Sequence, residues 1–184
     1  MRNLMVIAEG VNVHPLRLSL KRQPWLWNKN NERTISKESP HHQVDDIWVR
    51  FGNKSQIMTE HISQWYSAYY ALPELKPIIF DLMRLVEGEQ LGGILITRIP
   101  PGGKVLKHAD YGWHAEYYDK YIVQVEGNQD QSFCYENEHL SAETGTIYWF
   151  ENSATHWVNN DSDTDRISLI ICIRSNRQKV ICNE

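Results

Sequence analysis

The stretch TIYWFENSATHWVNNDSDTDRISLIICIR, residues 146–174, decides the fold. Its two runs rich in aromatic and β-branched residues, 146–158 and 166–174, have the composition of β-strands. Between them, residues 159–165 are polar and typical of a turn. We interpret Asp161, Asp163 and Asp165 as the charged part of that turn, because a calcium loop would need a central Gly and a later bidentate Glu. The stretch therefore predicts an antiparallel β-hairpin.

The same alternation of strands and turns recurs upstream. Short apolar or alternating runs occupy residues 94–99, 120–126 and 131–136, and turn residues at 100–103, 127–128 and 144–145 separate them. Several short strands with regularly spaced turns are typical of an antiparallel sandwich or barrel. We therefore predict a β-sandwich core over residues 91–174.

The N-terminal half has a different character. Apolar residues recur at helical spacing in 58–72 and again in 75–88, whereas 46–51 (DIWVRF) alternates like a strand. Residues 22–45 are polar and irregular, and we expect a surface loop or a strap over the core. The prediction is one α+β domain, residues 1–184, in which a helical N-terminal part (1–90) packs on the sheet.

Composition excludes several classes of protein. The net charge of −4 gives no basic excess for binding nucleic acid. No apolar run approaches the roughly 20 residues that span a bilayer, and the opening residues lack the pattern of a signal peptide. Cys134, Cys172 and Cys182 are sparse and form no CxxC pair, which is typical of a reducing compartment. We expect a cytoplasmic protein.

A possible metal site lies in the β half. His108 and Asp110 are two residues apart, so on a strand their side chains would project to the same side. Together with the distant His156 they make up the ligand set of a 2-His-1-carboxylate facial triad, which holds Fe(II) and leaves positions open for a co-substrate and O2. His41 and His42 have no partner at ligand spacing, and we expect them to be solvated.

Arg166 extends this site. If the hairpin is centred on Asp161, His156 and Arg166 lie five residues on either side of it and project to the same face. The planar guanidinium of an Arg suits a carboxylate, as in the distal group of 2-oxoglutarate. The alternative is an exposed hairpin in which His156 and Arg166 have no functional role.

These motifs resemble a known family. The segments ITRIPPGGKVLKHAD, YDKYIVQVEG and ETGTIYWFENSATHWVNNDSDTDRISLIICI are similar to those of the aspartyl/asparaginyl β-hydroxylases, which are Fe(II)/2-oxoglutarate dioxygenases. The resemblance covers about residues 91–174 and implies a double-stranded β-helix, also called a jelly roll or cupin-like fold. Small members of the family include bacteriophage proteins, and a phage-encoded chain would work in the host cytoplasm.

The resemblance also implies roles for individual residues. His108, Asp110 and His156 match the iron ligands, and Arg166 matches the anchor of the 2-oxoglutarate C5-carboxylate. Thr97 falls where the family often has a hydroxyl assisting that carboxylate, and Lys120 where an Arg commonly faces the co-substrate.

The chain departs from the family pattern at one position. Ile122 occupies the place of a His that also faces the co-substrate. Gln124, on the same face of that strand, is the candidate substitute.

The substrate-selecting residues are less defined. The aromatic loop 111–118 directly follows the ligand pair, so Trp113 and His114 are candidates for contact with substrate, against the alternative of simple packing. Arg50 and Trp149 could also line the site, or could be a surface Arg and a core Trp. The expected substrate is an amino-acid side chain in a protein, a free amino acid or another small molecule.

Two other functions remain open at this point. A cupin-like module could hold a metal or small acid without redox turnover, but such a module needs no separate carboxylate anchor like Arg166. An interaction protein could use the aromatic surface of residues 58–72, but it would have no reason to keep the four site residues.

Overall fold

The computed structural model describes residues 2–52, 60 and 62–175. The helices are α1 (His14–Arg22), α2 (Ser67–Ala71), α3 (Leu75–Leu85) and α4 (Trp113–Tyr117), and a 3-10 turn spans Pro24–Leu26. In α3 the buried residues recur at the spacing of one helix face, and they are Leu75, Ile78, Ile79 and Leu82. None of the helices in the described part of the chain is long and apolar enough to cross a membrane.

Eleven strands in the described ranges form two antiparallel sheets. The strands are β1 (Leu4–Ala8), β2 (Asp45–Phe51), β3 (Gln64–Trp65), β4 (Gly88–Ile99), β5 (Lys104–His108), β6 (Asp119–Glu126), β7 (Gln131–Cys134), β8 (His139–Leu140), β9 (Ile147–Phe150), β10 (His156–Asn160) and β11 (Arg166–Ser175). One sheet has the order β1-β9-β6-β11-β4-β2-β3, and the other has the order β5-β10-β7-β8.

The larger sheet separates two apolar cores. On one face, side chains such as Ile96, Leu169 and Ile171 pack against α1 and α3. On the other face, Ile122, Tyr148 and Phe150 contribute to a second core with residues of the smaller sheet. Because strand residues alternate between faces, each long strand supplies both cores. The predicted α+β sandwich with helices packed on a sheet is confirmed.

The N-terminal part is less helical than predicted. It contributes β1, β2 and β3 to the larger sheet, with β1 pairing with β9 at one edge and β2 pairing with β4 near the other. The helix predicted over 58–72 is wrong in extent, since only Ser67–Ala71 is helical and Gln64–Trp65 is a strand; residues 58, 59 and 61 lie outside the described residues. The helix predicted over 75–88 is confirmed for Leu75–Leu85, and Gly88 already belongs to β4.

The predicted hairpin at 146–174 is wrong. β9 and β10 belong to different sheets, and so do β10 and β11. The chain crosses between sheets after Phe150 and again after Asn160. At the second crossing, the fully buried Asn160 donates hydrogen bonds from Nδ2 to the carbonyls of Ile99, Pro100 and Thr164. These bonds stabilise a turn that connects the two sheets. The sequence pattern instead predicts a turn between two strands of the same sheet.

Of the segment 22–45, expected to be a surface loop or a strap over the core, Arg22 ends α1, Pro24–Leu26 is a 3-10 turn and Asp45 begins β2, and the part between Asn28 and Val44 lies beside β5 at the edge of the smaller sheet. Its carbonyl at Pro40 accepts a hydrogen bond from the backbone N–H of Leu106 at 2.9 Å, and Gln43 Oε1 accepts one from the N–H of Lys104 at 3.1 Å. Asn28, at the start of this segment, bonds both Asp45 and the backbone of Asp46. We use the word strap for residues 28–44.

Candidate metal centre

His108 and His156 meet across the ladder of the smaller sheet. His108 ends β5 and His156 begins β10, and the two are direct partners in the β5–β10 pairing. Asp110 lies two residues beyond the end of β5, where its backbone N–H bonds the carbonyl of Asn152 at 2.9 Å. The ligand atoms of the three residues all lie within 4.8 Å of one another. The pairing of β5 with β10 brings the two imidazoles together.

The two imidazoles are oriented for metal binding. The Nδ1 atom of His108 lies 2.8 Å from the carbonyl oxygen of Leu106, and that of His156 lies 2.8 Å from the carbonyl oxygen of Ala154. Because a carbonyl oxygen only accepts, each Nδ1 carries the proton and each Nε2 keeps its lone pair. Both Nε2 atoms lie near Asp110, at 3.8 and 4.0 Å from its carboxylate oxygens. The partners expected for the distal ring nitrogens of metal-binding His are thus backbone carbonyls.

Burial keeps both rings neutral. Loss of hydration lowers the pKa of His156 to about 4 and also lowers the pKa of His108. Metal ligation requires the neutral imidazole. The histidines are therefore in the ligating state at neutral pH.

Asp110 is held ionised. Burial alone would raise the pKa of its carboxyl, but the ammonium of Lys120, hydrogen-bonded at 2.5 Å, and the neighbouring imidazoles bring that pKa below its usual range. Two neutral imidazoles and one carboxylate are the donor set that suits Fe(II) in an open-faced site. The residues present therefore fit the metal that the sequence predicts.

Arg166 is a buried cation bonded to neutral groups. Its side chain is among the most buried polar groups, at 3% exposure. Among the described residues its hydrogen-bond partners are the hydroxyls of Ser168, at 2.7 Å, and Tyr148, at 3.0 Å. Burial raises the pKa of the Tyr148 phenol, so the hydroxyl does not neutralise the guanidinium. A buried charge without a counter-charge is expensive, and it indicates a place for an anionic ligand.

The triad and Arg166 line one cavity between the sheets. Thr97, Lys120 and Ile122 line it as well. Ser168, which bonds Arg166, pairs with Thr97 across β4 and β11, so the Thr97 hydroxyl lies on the strand next to the guanidinium. The apolar part of the wall consists of Val44, Ile99, Val105, Phe133, Phe150, Val158 and Ile170.

Gln124 does not belong to this wall. It is fully buried, and its Nε2 donates to the carbonyls of Glu126 and Ile167. Its Oε1 accepts from the Ser168 hydroxyl at 3.4 Å, so it reaches Arg166 only through Ser168. Gln124 therefore does not replace the polar group that is missing at Ile122.

The other predicted lining residues also lie outside the cavity wall. His114 accepts a hydrogen bond at Nε2 from the backbone N–H of Gly93, and Trp113 stacks on Tyr117. Arg50 donates to the carbonyl of Gly92 and lies over the ring of Trp65. These are packing contacts of β2, β4 and α4.

Trp149 is a core residue, and the turn that contains Asp161, Asp163 and Asp165 is polar, as the structural alternatives predicted. Trp149 packs against the helix-side core and donates to Asp119 at 3.3 Å. Asp165 lies 4.0 Å from Arg98 in a polar turn.

The structure adds two polar residues from the strap that the sequence did not indicate. Arg33 and His41 both line the cavity. The His41 ring lies edge-on to that of His108 with centroids 4.8 Å apart, so the expectation that His41 is solvated is wrong. Burial lowers the pKa of His41 well below its usual value. His41 lies in an irregular segment some 70 positions before His108. Strand and helix periodicities relate only residues close in sequence, so nothing in the sequence indicated that these two histidines are in contact.

Known structures share this fold. The chain superposes on a 2OG-Fe(II) oxygenase family oxidoreductase from Burkholderia pseudomallei with a TM-score of 0.56, at 12% identity over 75% of this chain and 73% of that one. A Pseudomonas putida prolyl-4-hydroxylase gives a TM-score of 0.55, at 12% identity over 95% and 94% of the two chains. The prolyl hydroxylase of Paramecium Bursaria Chlorella virus-1, in its 2OG complex, gives 0.53, at 9% identity over 95% and 96%. These likenesses confirm the predicted jelly-roll fold.

Sequence comparison identifies the family. A search against curated proteins gives no significant match. The family model described as aspartyl/asparaginyl beta-hydroxylase matches residues 20–175, which include the strap, strands β2 to β11, the three candidate ligands and Arg166. The family predicted from the motifs is confirmed: the chain belongs to the aspartyl/asparaginyl β-hydroxylases.

Proposed function

We propose that this protein is an Fe(II)- and 2-oxoglutarate-dependent dioxygenase that hydroxylates a small molecule or an amino-acid side chain. The observation that carries the proposal is a single cavity containing both a 2-His-1-carboxylate cluster and the buried guanidinium of Arg166, which has no carboxylate partner among the described residues. A cupin-like binding module would need one of these two sites. A 2-oxoglutarate oxygenase needs both.

The three ligand residues have one role in this proposal. The Nε2 atoms of His108 and His156 and a carboxylate oxygen of Asp110 would hold the iron from one side, which leaves the opposite side open. When bound there, Fe(II), 2-oxoglutarate and O2 supply the oxidising chemistry for hydroxylation of a substrate C–H bond. The protein positions the reacting groups and shields them from unproductive side reactions.

Arg166 and Thr97 would bind the distal carboxylate of 2-oxoglutarate. The guanidinium is already fixed by Tyr148 and Ser168, so little side-chain entropy is lost when the carboxylate arrives. The dianion would also neutralise the buried charge. We therefore expect 2-oxoglutarate to bind tightly, because its carboxylate offsets the free-energy cost of burying the Arg166 charge.

Lys120 would contact Asp110 in the metal-free protein and the co-substrate once both metal and co-substrate are bound. Without metal, its ammonium bonds Asp110 Oδ2 and keeps that carboxylate charged. With Asp110 acting as a metal ligand, the Lys120 ammonium would be available to an oxygen of the co-substrate. The apolar wall, including Phe133, Phe150 and Val158, would exclude bulk water from the reacting groups.

The test is conversion of 2-oxoglutarate to succinate by the purified protein with Fe(II) and ascorbate across classes of amino acids and peptides. We expect substrate-stimulated succinate formation that is lost in His108→Ala. Turnover that persists in His108→Ala, or an absence of 2-oxoglutarate binding to the Fe(II)-loaded wild type, would overturn the proposal. Two of the structurally similar proteins are prolyl hydroxylases by name, so proline and prolyl peptides belong in the substrate set.

For the compartment we propose the cytoplasm. Cys134 and Cys172 are free, buried thiols. Unpaired cysteines of this kind are typical of a reducing environment.

A further inference from the structure

The strap brings a histidine to the metal centre from outside the two sheets. His41 packs edge-on against the ring of His108, at 4.8 Å between centroids, and lines the cavity. Its Nδ1 atom is buried and has no hydrogen-bond partner among the described residues. Buried polar nitrogens are nearly always bonded, so an unpartnered one beside a ligand cavity indicates a hydrogen bond that a ligand completes.

The wall of the cavity lacks a polar group on the β6 side. Ile122 is buried, at 3% exposure, and lines the cavity where the resemblance implies a His facing the co-substrate. Gln124, the candidate substitute, is bonded to backbone carbonyls and lies outside the wall. At this position, therefore, β6 offers the co-substrate an apolar side chain. His41 is a polar group that the structure brings to the same cavity from another element, on the side of His108.

The position of His41 indicates which of the two carboxylates of 2-oxoglutarate it would contact. Arg166 is bonded to Tyr148 and Ser168 and to none of the three ligand residues, so it suits the carboxylate remote from the metal. His41 instead packs on a metal ligand. It suits the carboxylate that lies beside the metal.

A second strap residue joins the strap to the larger sheet. Arg33 makes two hydrogen bonds to Asp46, from Nε at 2.9 Å and from Nη2 at 3.1 Å, and Asp46 is fully buried on β2. This pair joins the strap to the larger sheet, while the hydrogen bond between Pro40 and Leu106 joins it to the smaller one. The strap that carries His41 is thus joined to both sheets.

We propose that His41 donates a hydrogen bond to the metal-side carboxylate of 2-oxoglutarate and takes the role that Ile122 cannot perform, with Arg33 and Asp46 as the pair that positions the strap. This inference rests on the proposed function, since it concerns the same co-substrate. It assigns a binding role to an N-terminal segment that lies outside the β-strands carrying the rest of the site.

The test compares His41→Phe with the matched control His42→Phe. His42 lies in the same segment, but it bonds Ser39 and does not line the cavity. Binding of 2-oxoglutarate to the Fe(II)-loaded protein is measured by calorimetry without oxygen, and binding of Mn(II) alone is measured separately. We expect His41→Phe to weaken 2-oxoglutarate binding about tenfold or more, the effect of removing a hydrogen bond to a charged group. Mn(II) affinity should stay unchanged, and His42→Phe should behave as the wild type.

A donor-restoring variant separates binding from packing. His41→Gln keeps an N–H donor and should recover most of the 2-oxoglutarate affinity, whereas His41→Leu should not. If His41→Phe does not fold, His41→Leu gives the same comparison. Wild-type 2-oxoglutarate affinity in either donor-less variant, or an equal loss of Mn(II) affinity, would overturn the inference. Failure of the wild type itself to bind 2-oxoglutarate would instead overturn the proposed function.

Discussion

His108 and His156 face one another across the β5–β10 ladder, with ring centroids 4.4 Å apart and each Nδ1 bonded to the carbonyl oxygen of the residue two positions earlier. The repeated local bond means that the same backbone arrangement orients both rings. The Nε2 atoms of both rings lie near the Asp110 carboxylate.

The first prediction concerns metal binding. His156→Ala removes one of three ligands, and we expect Mn(II) affinity to fall by at least about 100-fold, more than the 10- to 100-fold typical of losing an outer partner. Calorimetric titration with Mn(II) measures it. The exposed His139 on β8 offers the control, and His139→Ala should bind Mn(II) as the wild type does. Equal affinity in the two variants would contradict the assignment of His156.

The second prediction concerns the buried cation. In Arg166→Met the uncompensated charge is replaced by an apolar side chain of similar length, so the metal-free variant should be at least as stable as the wild type. Its 2-oxoglutarate affinity should fall by about 100-fold or more, since a charge-assisted pair is removed. Urea unfolding and calorimetry measure the two effects. A variant several kcal/mol less stable, with unchanged 2-oxoglutarate affinity, would show that Arg166 is structural.

The third prediction concerns pH. The pKa of His156 is lowered by burial to about 4, against about 6.5 in an unfolded chain. Between these values the unfolded state binds a proton that the folded state does not, so stability falls as pH decreases. We expect the metal-free protein to lose about 1–2 kcal/mol from this group between pH 7 and pH 5.

The control for the pH prediction is a variant without the titrating ring. His156→Gln should show a smaller loss of unfolding free energy over the same pH interval, measured by urea denaturation. Parallel pH profiles for the two proteins would mean that His156 does not titrate in this way. Tests at saturating metal are a separate case, because ligation itself holds the ring neutral.

The fourth prediction concerns the crossing between sheets. Asn160→Ala removes the amide that bonds three carbonyls in a fully buried position. We expect a loss of about 2–4 kcal/mol in unfolding free energy, since buried carbonyls lose their partner. Half-buried Asn159 on the same strand supplies the control, and Asn159→Ala should lose less than about 1 kcal/mol. A similar loss in both variants would argue against a special role for Asn160.

Residue type and spacing were sufficient to select His108, Asp110 and His156 as candidate ligands, and the structure brings their ligand atoms within 4.8 Å of one another. His108 and Asp110 are two positions apart, and His156 and Arg166 each begin a strand that lines the cavity. The hairpin predicted for His156 and Arg166 was nevertheless wrong. Strand composition does not reveal in which sheet a strand pairs, and here two facing sheets bring both side chains to one cavity.

The sequence was insufficient where tertiary contacts determine structure. β1 is a five-residue strand whose pairing with β9 depends on a segment more than 130 positions away. His41 belongs to an irregular strap without periodicity, so its place beside His108 follows from the hydrogen bonds of Pro40 and Gln43 with β5. Gln124 shares a face with Ile122 in the strand pattern, yet its amide turns to the backbone.

The most direct test of the central claim is a crystal structure of the protein with Mn(II) and 2-oxoglutarate, read from the anomalous difference map and the co-substrate density. We expect one manganese bonded by His108 Nε2, His156 Nε2 and an Asp110 oxygen, with the distal carboxylate of 2-oxoglutarate on the Arg166 guanidinium. Manganese bound elsewhere, or a 2-oxoglutarate carboxylate that does not reach Arg166, would contradict it.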